Sequence, residues 1–355
     1  MYFPRAAKNP EELKRTAREI VESGKGILAA DESVATVQKR FSGINLENNA
    51  ENRIRYRELM VGAVSPEYIG GIILHEETFN QKTSGGVLFP DAISGLGIKV
   101  GIKVDKGVVS IPTGETTTQG LDDLGKRCAE YYARGARFAK WRCTLKITSN
   151  TPTRTAITEN ATVLGRYAAI CQESGLVPIV EPEILMDGDH TLERAMEVFE
   201  DVVSAVYRKL SEYKVMLEGT LLKPNMVCPG QDCKTAYSAE QIAAATLACL
   251  QRTVPPAVPG ITFLSGGQSE KAATENLNAI NNGEGQKPWR LTFSYARALQ
   301  GSVLAVWEGK DGNTSAAREL FLRRCAETSR ASRGLWKGDD GTAQTENMFT
   351  KDYSY

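Results

Sequence analysis

A lysine at the end of an apolar run is the residue of this chain with the clearest chemical potential. Lys223 follows Leu221-Leu222 and directly precedes Pro224. Proline has no N–H for a sheet ladder and favours an extended residue before it, so the pattern predicts Lys223 as the last residue of a buried strand. Burial favours a neutral lysine amine, which is a nucleophile toward carbonyl carbons. On this stretch alone, a lysine that reaches solvent or pairs with a carboxylate is the commoner interpretation.

Other ionisable residues end similar apolar runs. Asp31 follows one such run, Lys140 follows another, and Glu181 and Glu183 follow a third on either side of a proline. If these residues share one mouth with Lys223, two nearby ammonium groups disfavour double protonation and one amine is pushed toward its neutral form. The carboxylates would then supply proton transfer.

The sequence also carries two candidate anion sites. Ser265-Gly266-Gly267 predicts a loop whose backbone N–H groups approach a phosphate, and Arg297 adds a planar guanidinium. Lys106, Ser33 and Thr36 could hold a second anion across the mouth. A lysine nucleophile between two phosphate sites indicates a carbonyl substrate with a phosphate at each end. Its simplest chemistry is carbon–carbon cleavage or formation through an iminium, which requires no metal.

The elements that must position these residues are eight short apolar runs, mostly separated by helical patterns. Runs of this kind are typical of parallel strands that are buried on both faces. Eight repeats predict an α/β fold, a (β/α)8 TIM barrel, with function at the carboxyl ends of its strands. An open doubly wound sheet is the alternative, but no GxGxxG motif follows the first run. The runs are residues 26–30, 68–74, 100–104, 136–139, 177–180, 219–223, 260–264 and 291–293.

The domain organisation follows from length and composition. We expect a single catalytic barrel over residues 1–336, because barrels of this kind reach such lengths as one unit. Residues 337–355 are rich in Gly, Asp, Thr and Ser and lack a helical period. They are predicted to form a flexible, mobile C-terminal tail that ends in Tyr355.

Composition restricts the function classes. The 43 basic and 43 acidic residues balance, which argues against a nucleic-acid or membrane-surface protein. Seven cysteines without CxxC spacing indicate reduced thiols, and no signal peptide precedes them, so a cytoplasmic location is expected. The only two histidines, His75 and His190, are too few for a histidine-rich metal site, although carboxylate or thiolate ligation stays open. Neither a metal nor another cofactor is predicted.

Seven strings together resemble the class I fructose-1,6-bisphosphate aldolases. They occur in the order of that family and extend over almost the whole chain. They are GILAADES from Gly26, GIKVDKG from Gly101, FAKWRC from Phe138, VPIVEPEIL from Val177, LEGTLLKPNMV from Leu217, FLSGGQS from Phe263 and LTFSY from Leu291.

The resemblance implies a role for each matching residue. Lys223 would form the Schiff base with the C2 ketone, and Glu181 would shuttle protons beside Glu183 and Lys140. Asp31 would take the C4 hydroxyl proton, and Tyr355 would help to protonate the enamine. The pocket for the C1 phosphate would comprise Ser265, Gly266, Gly267 and Arg297. The C6 end or the mouth would comprise Ser33, Thr36, Lys106, Arg40, Arg53 and Arg142.

The family also implies properties that this sequence alone does not give. They are sugar-phosphate substrates, a glycolytic role, metal independence, a homotetramer and, as for other glycolytic enzymes, possible cytoskeletal partners. Two local departures concern phosphate binding. Val34-Ala35-Thr36 stands where vertebrate members have Thr-Gly-Ser, and Ala296 stands where a glycine is common. Alanine is tolerable there only if its φ angle is not positive.

Three rival functions stay open. A different lysine-imine enzyme, such as transaldolase or an aldolase that prefers sedoheptulose bisphosphate, shares the chemistry; two phosphate sites argue against transaldolase. A barrel that serves as a non-catalytic or moonlighting scaffold is the second rival, and the joint presence of Lys223, Glu181 and Asp31 argues against it. A metal-dependent aldolase is the weakest, because of the scarcity of histidine.

Overall fold

Each of the eight apolar runs is a strand in the computed structural model, which describes residues 7–351. Two further short strands form a hairpin that the apolar pattern does not predict. The strands are β1 Gly26–Ala30, β2 Ile69–Leu74, β3 Lys99–Lys103, β4 Val108–Ser110, β5 Thr116–Thr118, β6 Ala136–Lys146, β7 Val177–Leu185, β8 Leu221–Leu222, β9 Gly260–Phe263 and β10 Arg290–Tyr295.

The eight main strands close into a parallel barrel. Their order around it is β1-β2-β3-β6-β7-β8-β9-β10, and β10 pairs with β1, as Ile27 opposite Ser294 shows. Every strand joins its neighbour in parallel, so all carboxyl ends lie at one end of the barrel. The (β/α)8 prediction is confirmed, and the open-sheet alternative is wrong.

Helices supply the crossovers that parallel strands require. Several of them begin after a residue whose side chain caps the helix, as Thr153, Thr191 and Ser238 do. The helices are α1 Pro10–Ile20, α2 Val34–Ser42, α3 Ala50–Val61, α4 Glu76–Asn80, α5 Phe89–Gly95, α6 Leu124–Ala133, α7 Arg154–Glu173, α8 Leu192–Glu212, α9 Ala239–Thr253, α10 Glu270–Asn282, α11 Arg297–Trp307 and α12 Thr314–Ala331.

Helix α1 closes the amino end of the barrel. Its apolar face, which includes Leu13, Ala17 and Ile20, packs on interior strand residues such as Phe138 in a core separate from the outer strand–helix core. A Cβ on Gly101 would lie 2.2 Å from the Phe138 ring, so the absent side chain of Gly101 makes room for that ring. Within the described residues, the amino end of the barrel is therefore filled by packed side chains.

Strands β6 and β7 continue beyond the apolar runs that predicted them. They stay paired to Lys146 and Leu185, so Lys140 and Glu181 lie inside strands rather than just after them. The β4–β5 hairpin lies against this extension, because the Thr118 hydroxyl donates to the Arg142 carbonyl over 2.8 Å. The backbones of β6 and β7 stay paired through this polar part of the sequence. Their polar side chains also pair across the two strands, Lys140 with Glu181 and Arg142 with Glu183.

The last described residues lie on the barrel without regular structure. The Gln344 amide donates to the Glu270 carboxylate (3.0 Å), and the Met348 amide donates to the Gly267 carbonyl (2.9 Å). The segment therefore runs from the side of α10 to the loop after β9. The predicted boundary at residue 337 and the mobility of the tail stay predictions, and Tyr355 lies outside the described residues.

Six of the seven cysteines are buried, and Cys233 is partly exposed; all seven are free thiols. Burial raises the pKa of Cys143 and Cys228 to about 12, so both are thiols rather than thiolates at neutral pH. No helix within residues 7–351 is long and apolar enough to cross a membrane.

Candidate active site

The carboxyl ends of β1, β6, β7 and β8 bring four ionisable side chains together inside the barrel. Lys223 directly follows β8, and its amide donates to the Val180 carbonyl of β7 over 2.8 Å, which keeps it in register. Its side chain is only 3% exposed. The sequence predicted Lys223 as the last residue of the strand, but the strand ends one residue earlier, at Leu222, and Lys223 follows it with its side chain buried in the interior.

These four side chains form a continuous chain of ion pairs. Lys223 Nζ lies 3.1 Å from one oxygen of Glu181, and Lys140 Nζ lies 3.4 Å from the other. Lys140 Nζ also lies 2.9 Å from Asp31 Oδ2. All four are at least 97% buried. Glu181 is thus placed between the two amines, where it can exchange a proton with either.

The electrostatics of this chain favour an ionised Asp31. Burial opposes its ionisation, but the ammonium groups of Lys140 and Lys223 outweigh burial and hold the pKa of Asp31 well below its usual range. Asp31 is consequently a carboxylate at neutral pH. It can accept a hydrogen bond or a proton from a hydroxyl that enters the site.

A second buried pair lies one step outward on the extended strands. Arg142 Nε donates to Glu183 Oε2, and Arg142 is 2% exposed. Burial opposes the ionisation of Glu183, yet Arg142, with Lys223 and Arg297 further away, lowers the pKa of Glu183. Glu183 lines the same pocket as Lys223, and its pairing with Arg142 keeps this carboxylate in place.

The Arg142–Glu183 pair should make part of the folding free energy depend on pH. Because the pKa of Glu183 is lower in the folded state, its stabilisation is complete above the unfolded value of about 4.3 and is lost as pH falls below it. Urea unfolding should show that Glu183→Gln costs about 2 kcal/mol at pH 7. The cost should shrink below pH 4. An equal cost at both pH values would contradict this assignment.

The predicted phosphate loop has the backbone that its glycines suggest. Gly266 and Gly267 have backbone φ angles of +58° and +88°, which residues other than glycine rarely adopt. A Cβ on Gly267 would also lie 2.9 Å from the Phe349 backbone. Arg297 begins α11 next to this loop and donates to the Met348 carbonyl of the C-terminal segment. The loop, Arg297 and the C-terminal segment therefore meet at one place.

A small pocket of about 30 Å³ joins this loop to Lys223. Arg40 lines this pocket together with Ser265 and Arg297. The sequence had grouped Arg40 with the residues of the C6 end or the mouth, so its observed position differs from that grouping. Ala296 also lines the pocket, with φ −106°, and thus meets the condition under which alanine can replace glycine. Among the lining residues, Glu181, Glu183 and Lys223 come from the ion-pair chain and its outer neighbour.

Two lining or neighbouring residues were not predicted from the sequence. Ser294 lies in β10, is 2% exposed, and its hydroxyl has no hydrogen-bond partner within residues 7–351 although it lines the pocket. Lys103 ends β3, lies 2.6 Å from Asp105 and contributes to the low pKa of Asp31. The rule that strand-end polar residues face the mouth would have found both.

Other predicted site residues lie outside this pocket. Lys106 is half-exposed and pairs with Glu76 (2.9 Å), and Arg53 pairs with Glu77 (2.5 Å). The Ser33 hydroxyl caps α2 by accepting from the amide of Thr36 (3.2 Å). The Thr36 hydroxyl lies 3.1 Å from that of Ser33, so both are engaged locally.

Metal binding finds no support in the donor groups of the described chain. Within residues 7–351, no three His, Cys, Asp or Glu side chains are grouped as a metal site would need. His75 instead caps α4 by accepting from the Glu77 amide (3.2 Å). A larger groove of about 810 Å³ lies between α9 and α10, and none of the residues that line it belongs to the buried ion pairs.

Comparison with known proteins decides the family. A family model described as glycolytic fructose-bisphosphate aldolase class-I matches residues 12–355. The chain belongs to this family. It cleaves fructose 1,6-bisphosphate reversibly into dihydroxyacetone phosphate and glyceraldehyde 3-phosphate through a lysine Schiff base, as the seven strings implied. The rival functions of transaldolase and metal-dependent aldolase are therefore wrong.

Individual members of this family are similar to the chain over nearly its whole length. The chain is 55% identical to fructose-bisphosphate aldolase of Dictyostelium discoideum, covering 98% of this chain and 99% of the relative. It is 54% identical to human fructose-bisphosphate aldolase C, covering 99% and 98%. A crystal structure of Plasmodium falciparum fructose-bisphosphate aldolase, in complex with TRAP and a small-molecule inhibitor, matches with a TM-score of 0.92 and 50% identity, covering 96% of this chain and all of that one.

Proposed function

We propose that Lys223 is the lysine of this aldolase that forms the Schiff base. The observation that carries the proposal is its burial at a strand end beside the Glu181 carboxylate, 3.1 Å away. The amine attacks the C2 carbonyl carbon of the substrate, and a C–N bond forms as the carbonyl π bond breaks. Glu181 takes a proton from the Lys223 ammonium to free the attacking amine, and it later gives that proton to the carbinolamine hydroxyl, which leaves as water. The iminium that results is the electron sink for the next step.

Asp31 is assigned to carbon–carbon bond cleavage. As the C3–C4 bond breaks, its electrons move toward the iminium and give an enamine on Lys223. The C4 hydroxyl becomes the aldehyde of glyceraldehyde 3-phosphate, and its proton passes to the carboxylate of Asp31. The ionised state of Asp31 supports this role, and Lys140 at 2.9 Å is positioned to orient it. Glu183, which is paired with Arg142, is proposed to lie beside the reacting carbons.

Completion of the cycle is assigned in part to the C-terminal residue. The enamine on Lys223 must gain a proton at C3 before water releases dihydroxyacetone phosphate. Tyr355 is proposed to assist that protonation. The support is the course of the preceding segment, because Met348 contacts both the phosphate loop and Arg297. Six residues separate Met348 from Tyr355, enough extended chain to reach the mouth.

The two phosphates are assigned to opposite sides of Lys223. Ser265, Gly266, Gly267 and Arg297 would bind the C1 phosphate, and Arg40 is proposed to join them because it lines the same pocket. Lys106, Ser33, Thr36, Arg53 and Arg142 remain the proposed residues for the C6 end or the mouth. Their ion pairs and cap contacts imply that substrate must displace Glu76 from Lys106.

Arg297→Leu tests the assignment of the C1 phosphate. A charge-assisted bond to a phosphate is worth about 2 kcal/mol, so KM for fructose 1,6-bisphosphate should rise about 30-fold. The matched control is Arg208→Leu on the exposed side of α8, which should leave KM unchanged. Steady-state kinetics measure both. An unchanged KM in the Arg297 variant would remove that residue from the phosphate pocket.

Assembly, partners and location complete the proposal. We infer a cytoplasmic homotetramer from the family. The Plasmodium relative was crystallised with TRAP, and this supports a protein partner for the present chain as well. Cytoskeletal proteins are the class of partner that the family suggests. Sedimentation would distinguish a tetramer from smaller forms.

A further inference from the structure

Gln300 is a buried amide that the chemistry described so far does not use. It lies on α11, one turn after Arg297, and is 1% exposed. A glutamine that is removed from water costs free energy unless both ends of its amide are hydrogen-bonded. The contacts that satisfy its amide therefore indicate what its position requires.

The amide of Gln300 connects β1 to Arg40. Its Nε2 donates to the Ala29 carbonyl over 3.1 Å, two residues before Asp31. Its Oε1 accepts from Arg40 Nη1 and from the Tyr56 hydroxyl, the latter over 3.3 Å. The Tyr56 hydroxyl in turn accepts from Arg40 Nη1 over 3.3 Å. Gln300 and Tyr56 thus hold the same guanidinium nitrogen from two sides.

The charges near Arg40 explain why a neutral acceptor stands there. Glu32, 2% exposed, pairs with both Arg40 and Arg57 and so already offsets part of their positive charge. A carboxylate in place of Gln300 would orient Arg40 equally well but would add a negative charge beside the pocket. The amide accepts a hydrogen bond from Arg40 without adding charge.

Glu32 contacts the same nitrogen of Arg40 as Gln300 does. Two charged groups attract each other strongly where water is excluded, so Glu32 alone would keep Arg40 in the cluster. It would not fix the orientation in which Arg40 lines the pocket with Ser265 and Arg297. Removing the amide acceptor would therefore let Arg40 take other orientations, from which it would have to be turned back each time a phosphate binds.

We propose that Gln300, with Tyr56, is a positioning residue that holds Arg40 toward the substrate phosphate without adding negative charge to its pocket. The inference rests on the proposed role of Arg40 in binding the C1 phosphate. It adds a residue that touches no substrate and acts through Arg40 alone. If Gln300 has this role, its substitution should weaken the affinity for phosphate and leave kcat, the turnover rate of the bound substrate, unchanged.

Gln300→Met preserves side-chain length and removes the hydrogen bonds. We expect KM for fructose 1,6-bisphosphate and the inhibition constant of inorganic phosphate to rise about tenfold, with kcat within about twofold of the parent enzyme. Tyr56→Phe removes only the hydroxyl and should raise both constants about threefold. It keeps the inference testable if Gln300→Met does not fold.

Gln172→Met is the matched control. Gln172 is a 2% exposed glutamine that also makes three hydrogen bonds, to the Met216 amide and carbonyl and to the Gly219 carbonyl. It lies near the amino end of β8, away from the pocket. Its substitution should lower stability comparably and leave KM and the phosphate inhibition constant unchanged.

A double-mutant cycle with Arg40→Ala decides the mechanism. If Gln300 acts through Arg40, Gln300→Met should raise KM no further in the Arg40→Ala background. An undiminished rise in that background, or a loss of kcat at constant KM, would overturn the inference while leaving the phosphate role of Arg40 intact. An Arg40→Ala variant with the KM of the parent would instead refute that role, and the inference with it.

Discussion

Lys223→Met is expected to lower kcat for fructose 1,6-bisphosphate cleavage by at least about four orders of magnitude, to near the background rate. Lys223 is the proposed nucleophile, 3.1 Å from the Glu181 carboxylate, and its loss removes the imine through which the reaction proceeds. Methionine has a similar length and no amine. It should therefore fill the same buried space while removing the nucleophile. Stopped assays at high enzyme concentration would measure the residual rate.

The control for this variant is Lys209→Met, which removes a lysine paired with Glu212 on the outside of α8. Its kcat should match the parent enzyme. Circular dichroism and thermal unfolding should show that both variants are folded. If Lys223→Met retained more than about one per cent of the parent activity while folded, another lysine would have to carry the imine, and Lys140 would be the nearest candidate.

Asp31→Asn is expected to separate imine formation from bond cleavage. The amide keeps the shape of Asp31 but cannot accept the C4 hydroxyl proton, so kcat should fall about 10²- to 10⁴-fold. Imine formation with dihydroxyacetone phosphate should survive because Glu181 and Lys223 are unchanged. Single-turnover cleavage kinetics and reductive trapping, measured on the same preparation, give the two quantities.

The outcome that would contradict this role is equal loss of cleavage and trapping. Loss of both would mean that Asp31 is needed chiefly to hold Lys140, 2.9 Å away, in the ion-pair chain. A Lys140→Met variant would then show the same pattern. Retention of full activity would remove Asp31 from the chemistry altogether.

The sequence predicted the barrel because each of its strands is buried on both faces. Such strands appear as short apolar runs, and runs such as Gly26–Ala30 match the observed elements closely. The sequence did not predict how far β6 and β7 continue. Their extensions contain Arg142 and Glu183, whose burial is offset by their pairing with each other, and no single-strand pattern reveals a partner in another strand.

The sequence predicted those site residues whose position follows from the end of a strand. Parallel strands that end together bring Lys223, Glu181 and Asp31 to one mouth, and proline after the lysine marks the strand end. The position of Arg40 was not predictable in this way. It depends on side-chain contacts of α2 with Gln300 and Tyr56, which lie 260 and 16 residues away along the chain. Only the folded structure brings these groups together.

Borohydride trapping tests the central claim most directly. The enzyme would be incubated with dihydroxyacetone phosphate and sodium borohydride, with and without EDTA, and its peptides mapped by mass spectrometry. We predict a substrate-derived adduct on the peptide that carries Lys223, in equal yield in both samples. An adduct on a different lysine, or none with the enzyme folded and phosphate-competent, would contradict the assignment of Lys223.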